Sequence, residues 1–210
     1  MSVLEALATD IRACRICRDA PAGPVLPHAP RPVLRVSATA RLLIAGQAPG
    51  TRVHASGLAF DDRSGDRLRL WMGVAKEAFY DVSRIAIVPM GFCFPGQDAK
   101  GGDLPPRREC RAHWHDRLFA SLPQVETILA IGRYAQIYHS GRLDRLYDAK
   151  SPLAEAVRAS IGPTNAAPKI ICLPHPSWRN TGWLKANPWF ETDVLPVVRA
   201  EVARLVNPAE

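Results

Sequence analysis

Leu42-Leu43-Ile44-Ala45-Gly46-Gln47-Ala48-Pro49-Gly50 is the stretch on which the reading of this chain turns. A short unbroken apolar run that gives way to a glycine- and proline-rich turn is the pattern of a strand buried on both faces of a parallel sheet. The same pattern returns at Ile85-Ala86-Ile87-Val88, at Val125 to Ile131 and at Lys169 to Leu173. Helical spacing fills the intervals. Leu4, Leu7, Ala8 and Ile11 predict a helix over residues 3–13, and Leu68, Trp71, Met72 and Ala75 predict another. Pro106 can open a third helix through Cys110, Trp114 and Leu118, and helical sequence follows the third strand to about Ser160. The last helix is expected to open at Asn187-Pro188 and to carry Phe190, Val194, Val197, Val198, Val202 and Leu205 on one face. Strand and helix alternate, which predicts an α/β fold, a three-layer α/β/α sandwich with a central four-stranded parallel sheet. Residues 20–32 hold five prolines and are expected to run extended over the surface.

The chain has 210 residues, 47% of them hydrophobic and 22% charged, enough for one domain over residues 1–210 and too apolar for general disorder. No apolar run approaches the roughly 20 residues of a membrane span, so no membrane association is expected. The opening MSVLEALATD carries an acidic residue where an export signal would carry basic ones, and the expected location is cytoplasmic. A monomer is expected. Lysine and arginine exceed aspartate and glutamate by 27 − 20 = 7, which favours a polyanionic partner.

Five cysteines in a chain without an export signal argue against structural disulfides. Cys14-Arg-Ile-Cys17 offers two thiolates to one metal centre, and Cys93 and Cys110 would complete four sulfur ligands for zinc or an iron–sulfur cluster. Cys172 lies inside an apolar run and reads as a buried small hydrophobe.

In sheets of this kind ligands bind beyond the carboxyl ends of the strands. The unusual strand-end loops are Gly46 to Gly50, Gly91-Phe92-Cys93-Phe94-Pro95-Gly96, and Pro174-His175-Pro176-Ser177-Trp178-Arg179-Asn180, and they should converge on one site. The first is neither a P-loop nor a dinucleotide fingerprint, because the lysine and the glycine spacing are absent. It lets backbone amides approach a ligand closely. His175 could donate a hydrogen bond to charge developing on a leaving group. Trp178, Arg179, Trp183 and Lys185 interleave aromatic and basic side chains, a composition suited to phosphates and unstacked bases.

Together these segments resemble the uracil-DNA glycosylase superfamily, most closely its iron–sulfur-containing family 4 type. The first motif of that family is Gly-Glu-Ala-Pro-Gly, then Gly-x-Pro-Phe and Gly-x-x-Leu. Here it reads Gly46-Gln47-Ala48-Pro49-Gly50, Gly57-Leu58-Ala59-Phe60 and Gly65-Asp66-Arg67-Leu68. The second motif stands as His175-Pro176-Ser177, and Cys14, Cys17, Cys93 and Cys110 match the cluster cysteines in order. The resemblance implies a monofunctional enzyme of DNA repair that flips uracil out of single- or double-stranded DNA and hydrolyses its N-glycosidic bond, leaving an abasic site. It further implies a structural [4Fe–4S] cluster, with zinc as the alternative. Phe60 would stack on the flipped base, Gly46, Gln47, Ala48 and Asn180 would read its edge, and His175 would stabilise charge on uracil O2. Ser177, Trp178, Arg179 and Lys185 would contact the DNA.

The sequence also departs from that pattern. Gln47 replaces the motif glutamate, so the first loop has no carboxylate to activate water, and Asp61 and Asp62 are the nearest candidates, unless they simply cap a turn. Pro89 stands where relatives carry a uracil-reading asparagine, leaving base discrimination to Gln47, Asn180 or the backbone. Arg179 stands where relatives insert an apolar wedge. These changes keep open a non-catalytic binder of damaged or abasic DNA on the same fold. The cysteines alone would also permit an iron–sulfur redox or sensor protein.

Overall fold

The computed structural model describes residues 2–142 and 152–206. Four strands, β1 (Leu42–Ala45), β2 (Ile85–Ile87), β3 (Thr127–Ile131) and β4 (Lys169–Leu173), form one parallel sheet in the order β2-β1-β3-β4. Apart from Lys169, every strand residue is buried, as expected where helices cover both faces of a parallel sheet. The α/β sandwich predicted from alternation is the observed fold. The chain passes from β1 to β2 on one side and then to β3 on the other, so the strand order reverses at β1, the position at which such sheets open a crevice.

Helix α1 (Val3–Arg12) starts at a capping box: Ser2 Oγ accepts from Glu5 N (3.2 Å), and Glu5 Oε2 accepts from Ser2 N (2.7 Å). It buries Leu4, Leu7, Ala8 and Ile11, the positions its periodicity marks. Helix α4 (Arg63–Met72) buries Leu68, Trp71 and Met72 and packs on α11 (Leu195–Val206), with Trp71 edge-on to Phe190 at 4.9 Å. Ala75 lies beyond the Gly73 cap of α4 and instead precedes the short α5 (Lys76–Phe79). Residues 108–120 are helical throughout: α6 (Arg108–Cys110), a π-turn over Arg111–His115, then α7 (Asp116–Ala120). Helix α8 (Arg133–Arg142) packs on β3 and β4, and α9 (Leu153–Ser160) on β4. The helical sequence expected between them falls partly on residues 143–151, outside the described residues.

Two expectations need correction. The last helical run does open after Asn187-Pro188, with Phe190 N donating to Asn187 O (3.0 Å), but the Asn187 side chain does not cap it. Asn187 follows α10 (Thr181–Ala186), its Nδ2 donates to Trp183 O (2.8 Å) and its Oδ1 accepts from Trp189 Nε1 (3.0 Å), so the carboxamide is already committed. Nor is the proline-rich connection only a surface run. Leu26 is fully buried between Cys17 and Cys93. Beyond it, Arg35 pairs antiparallel with Ile87 (2.9 and 2.7 Å), which covers the exposed edge of β2.

The start of α4 carries a tight constraint. Asp62 caps the helix through Oδ1, accepting from Gly65 N (2.8 Å). A Cβ at Gly65 would lie 1.8 Å from Phe60 O, so the helix passes that carbonyl only because position 65 has no side chain. On helix propensity alone, Gly65→Ala should stabilise the protein by up to about 1 kcal/mol. The overlap reverses the sign, and a net loss of roughly 1–3 kcal/mol is expected. Urea denaturation reads it, and a midpoint above that of the unmodified protein would contradict the packing described.

Candidate active site

A cavity of about 530 Å³ opens beyond the carboxyl ends of the strands. Its walls come from the turn after β1, the loop after β2 and the loop after β4, which are the segments whose convergence the alternating pattern predicts. The structure places Gly46, Gln47, Ala48, Phe60, Asp62, His175, Ser177, Trp178, Arg179 and Asn180 on the lining. Asp61 and Lys185 are not on it. Asp61 follows Phe60 with its amide turned back to Leu58 O (3.3 Å), and Lys185 is exposed on α10, past the turn that lines the mouth.

The turn after β1 stays attached to the sheet. Met90 N donates to Gly46 O and Gly91 N to Gln47 O, both at 2.9 Å. The amides of Gln47 and Ala48 and the Gln47 carboxamide meet no protein acceptor or donor among the described residues, so they are available to a ligand. Pro89 closes the wall beside them without any side-chain donor.

Phe60 supplies an aromatic face. Its φ of +56° puts a non-glycine residue in the left-handed region, a local cost of order 1–2 kcal/mol. Its surroundings enforce that conformation. Tyr80 Oη donates to Ala59 O (2.9 Å), the Phe60 ring meets Phe79 edge-on at 6.1 Å, and a Cβ at Gly46 would lie 3.2 Å from the ring. The far end of the Phe60 ring thus lies against backbone that carries no side chain.

His175 is held on the same lining. Ser177 N donates to its Nδ1 (3.3 Å), which in the neutral ring leaves Nε2 to carry the proton. Asn180 Nδ2 donates to His175 O (2.7 Å), so this amide, expected to read a base edge, also anchors the histidine loop. Arg67 braces the same loop from α4 by donating to Ser177 O (3.1 Å). Burial lowers the His175 pKa below its ordinary 6.5. Asp62 and Asp103 push it back up, and Arg179 adds to the lowering.

At the mouth, Trp178 is 77% exposed, and the Arg179 guanidinium lies 5.9 Å from its ring centroid. Among the polar side chains on the lining, sequence reasoning passed over Thr51, Arg52, Ser64, Gln97 and Asp103. Asp103 was in principle visible, because the glycine- and proline-rich loop after β2 is itself a strand-end loop.

The cysteines sit apart from the cavity, beneath the loop after β2. The neighbouring Cys110 side chain, with help from Arg107, brings the Cys17 thiol down to about 7 against the opposing effects of burial and Glu109. Burial pushes Cys93 up to about 12, with Cys17 and Cys14 near enough to raise it further. Trp114 Nε1 donates towards Cys14 Sγ (3.3 Å) and Phe92 N towards Cys110 Sγ (3.4 Å). An Arg107–Glu109 pair (2.6 Å) ties the connection that follows the Cys-x-x-Cys turn to the start of α6, with Arg107 donating to Pro24 O and Glu109 accepting from Ala22 N. As they stand, no three His, Cys, Asp or Glu among the described residues form a group able to hold a metal ion. The donor set itself, thiols receiving N–H bonds, suits a thiolate-ligated centre. Cys172 is fully buried, its thiol pushed up to about 12 mainly by burial.

A doubly wound parallel sheet with an aromatic ring and a buried imidazole lining one switch-point cavity defines a ligand-binding α/β protein suited to a flat, ring-shaped guest. The sequence matches the uracil DNA glycosylase superfamily over residues 35–199, more than half of the chain, and the chain belongs to that superfamily. Members generally hydrolyse N-glycosidic bonds and act on DNA containing uracil.

The depressed His175 pKa has a pH consequence with a definite sign. The unfolded chain takes up this proton near 6.5 and the folded chain only at lower pH. The contribution of His175 to stability is therefore complete above 6.5 and falls away as pH drops through the folded value. Histidine ring NMR should show His175 titrating below 6.5. A midpoint at or above that value would mean the ring is more solvated, or more strongly paired with Asp62 and Asp103, than the structure shows.

Proposed function

We propose that this protein is a monofunctional DNA glycosylase that removes uracil from DNA and leaves an abasic site. The observation that carries the proposal is the placement of Phe60, Gln47 and His175 around one cavity, with the histidine proton on Nε2. Flipping a nucleotide costs a few kcal/mol of lost pairing and stacking, which a stacked aromatic partner partly offsets. Phe60 is that partner. The Gln47 and Ala48 amides and the Gln47 carboxamide provide donors and an acceptor for the base edge.

As the C1′–N1 bond breaks, its electron pair leaves with the base and negative charge gathers on O2. His175 Nε2–H donates to that oxygen. A neutral donor stabilises the developing charge, and the fixed position of the ring means nothing must reorganise as the bond breaks. Trp178 and Arg179 at the mouth suit the strand around the flipped nucleotide, Trp178 by stacking and Arg179 by pairing with phosphate.

We further propose that Cys14, Cys17, Cys93 and Cys110 hold a [4Fe–4S] cluster. It is supported by four thiols on segments that the Arg107–Glu109 pair helps tie together and by the two N–H groups aimed at sulfur. When bound, such a cluster cross-links the N-terminal turn to the loop after β2 and takes no part in the hydrolysis.

Uracil-containing oligonucleotides incubated with the protein should acquire alkali-labile sites, and His175→Ala should lower the single-turnover rate roughly 10²–10³-fold. Tight binding of abasic DNA with no base release at high protein concentration would instead identify a non-catalytic binder of damaged DNA. For the cysteines, protein purified without air should be brown and contain close to four irons and four sulfides per chain, both lost in Cys17→Ser. A colourless protein with one zinc would replace the cluster by a zinc site.

A further inference from the structure

We propose that Asp103 is a catalytic residue, the base that positions and deprotonates the water attacking the sugar. This rests on the glycosylase reading above and identifies a group it leaves open. Gln47 stands where a carboxylate would serve, and a carboxamide cannot accept the proton that water loses on attack.

The cavity offers two carboxylates in its place, Asp62 and Asp103. Asp62 is already employed, with Oδ1 accepting from Gly65 N (2.8 Å) as the cap of α4. Asp103 is built for presentation. Residues 96–104 close into a tight hairpin: Leu104 N donates to Gly96 O (2.9 Å), Asp98 N to Gly102 O (2.8 Å), and Gln97 pairs antiparallel with Asp103. Asp98 Oδ1 ties the tip by accepting from Lys100 N and Gly102 N, both at 2.8 Å. The only side-chain hydrogen bond to the Asp103 carboxylate among the described residues is a long one, Gln97 Nε2 to Oδ1 at 3.3 Å, which orients it and leaves lone pairs free.

The hairpin brings this carboxylate to the end of the first loop. A Cβ at Gly50 would lie 3.5 Å from Asp103 Oδ2. Asp103 is also near enough to His175 to raise its proton affinity. Its height in the cavity matters as much. Gly46 and Pro89 are buried, whereas Asp103, Trp178 and Arg179 are exposed at the mouth. A flipped base enters to the depth of Phe60 while its sugar stays at the mouth, so C1′ sits at the level of Asp103. DNA lying over the mouth would exclude bulk water and leave room beside the carboxylate for a single attacking water.

The step balances. Water oxygen bonds to C1′ as the C1′–N1 pair departs with the uracil anion, Asp103 takes the water proton, and that proton is returned to the base or to solvent. One water is consumed and no other reactant is needed.

The test is single-turnover cleavage of uracil-containing duplex by the full chain and by Asp103→Asn. Affinity is measured in parallel on a duplex with 2′-fluoro-deoxyuridine, which resists cleavage. A rate at least tenfold lower with affinity unchanged within threefold is expected. Asp103→Ser is measured beside it, so that a variant with the unmodified melting temperature is compared. A rate loss under tenfold, or an equal loss of affinity, overturns the role of Asp103. If the unmodified protein releases no uracil, the glycosylase reading fails and this proposal fails with it. An active unmodified protein with an equally active Asp103→Asn removes only the present inference.

Discussion

The contact of the Phe60 ring with side-chain-free backbone is the constraint on which the site depends. A residue with a Cβ does not occupy the left-handed region without cost, and nothing in Phe60 itself prefers it. The conformation persists because every alternative is blocked. Gly46 leaves room for the ring, Gly65 leaves room for the carbonyl, and Phe79 and Tyr80 close the far side. Arg69 completes the support: its guanidinium lies 5.2 Å from the Phe79 ring centroid and is paired with Asp66 at 2.6 Å. Strain at one residue is thus held by the turn after β1, α4 and α5, and the product is an aromatic wall at the reversal point of the sheet.

How much of this was legible in the sequence follows from where the stabilising interactions lie. Leu42 to Ala45 could be read because a strand covered on both faces must be apolar at every position, with no polar residue to blur the run. Helix α1 was legible for the matching reason, since its buried face and its capping residues are both local. Helices α3 (Thr51–Ser56), α5 and α10 were not, because four to six residues hold too few turns to show a period and are kept helical by what surrounds them. Helix α3 illustrates this: Arg31, twenty-three residues upstream, donates to His54 O at its last turn (2.8 Å). Leu26 misled for the same reason, since it is buried against Cys93 in a distant segment.

For the site, motif residues were legible and their partners were not. His175 and Phe60 stand in recognisable strings. Asn180 was read as a stand-in for the missing base-reading side chain at position 89; it does line the cavity, but its hydrogen bond to the histidine carbonyl could not be read from residue order. Asp103 stands in no motif. It reaches the cavity through a hairpin whose geometry depends on Asp98 accepting two backbone amides, a three-dimensional fact that residue order announces only faintly.

The departures at Gln47 and Pro89 are then two sides of one redistribution. A carboxylate in the first loop would sit among the amides of Gln47 and Ala48, beside Phe60 and close to any base stacked there. Replacing it with a carboxamide makes that wall neutral and able both to donate and to accept, which suits reading a base edge. Proline at position 89 removes a side-chain reader from the same wall, so recognition falls to groups fixed by the backbone. Negative charge is kept instead at Asp62 and Asp103, on the helix cap and the mouth. On the proposed reading this separates two tasks that compete when performed together. A carboxylate beside the departing base would repel the charge gathering on it, whereas a carboxylate at the mouth faces the positive sugar and the water. His175, whose neutral form is favoured by burial, can then serve the base while the acids serve the sugar, and the spacing between deep wall and mouth keeps the two apart.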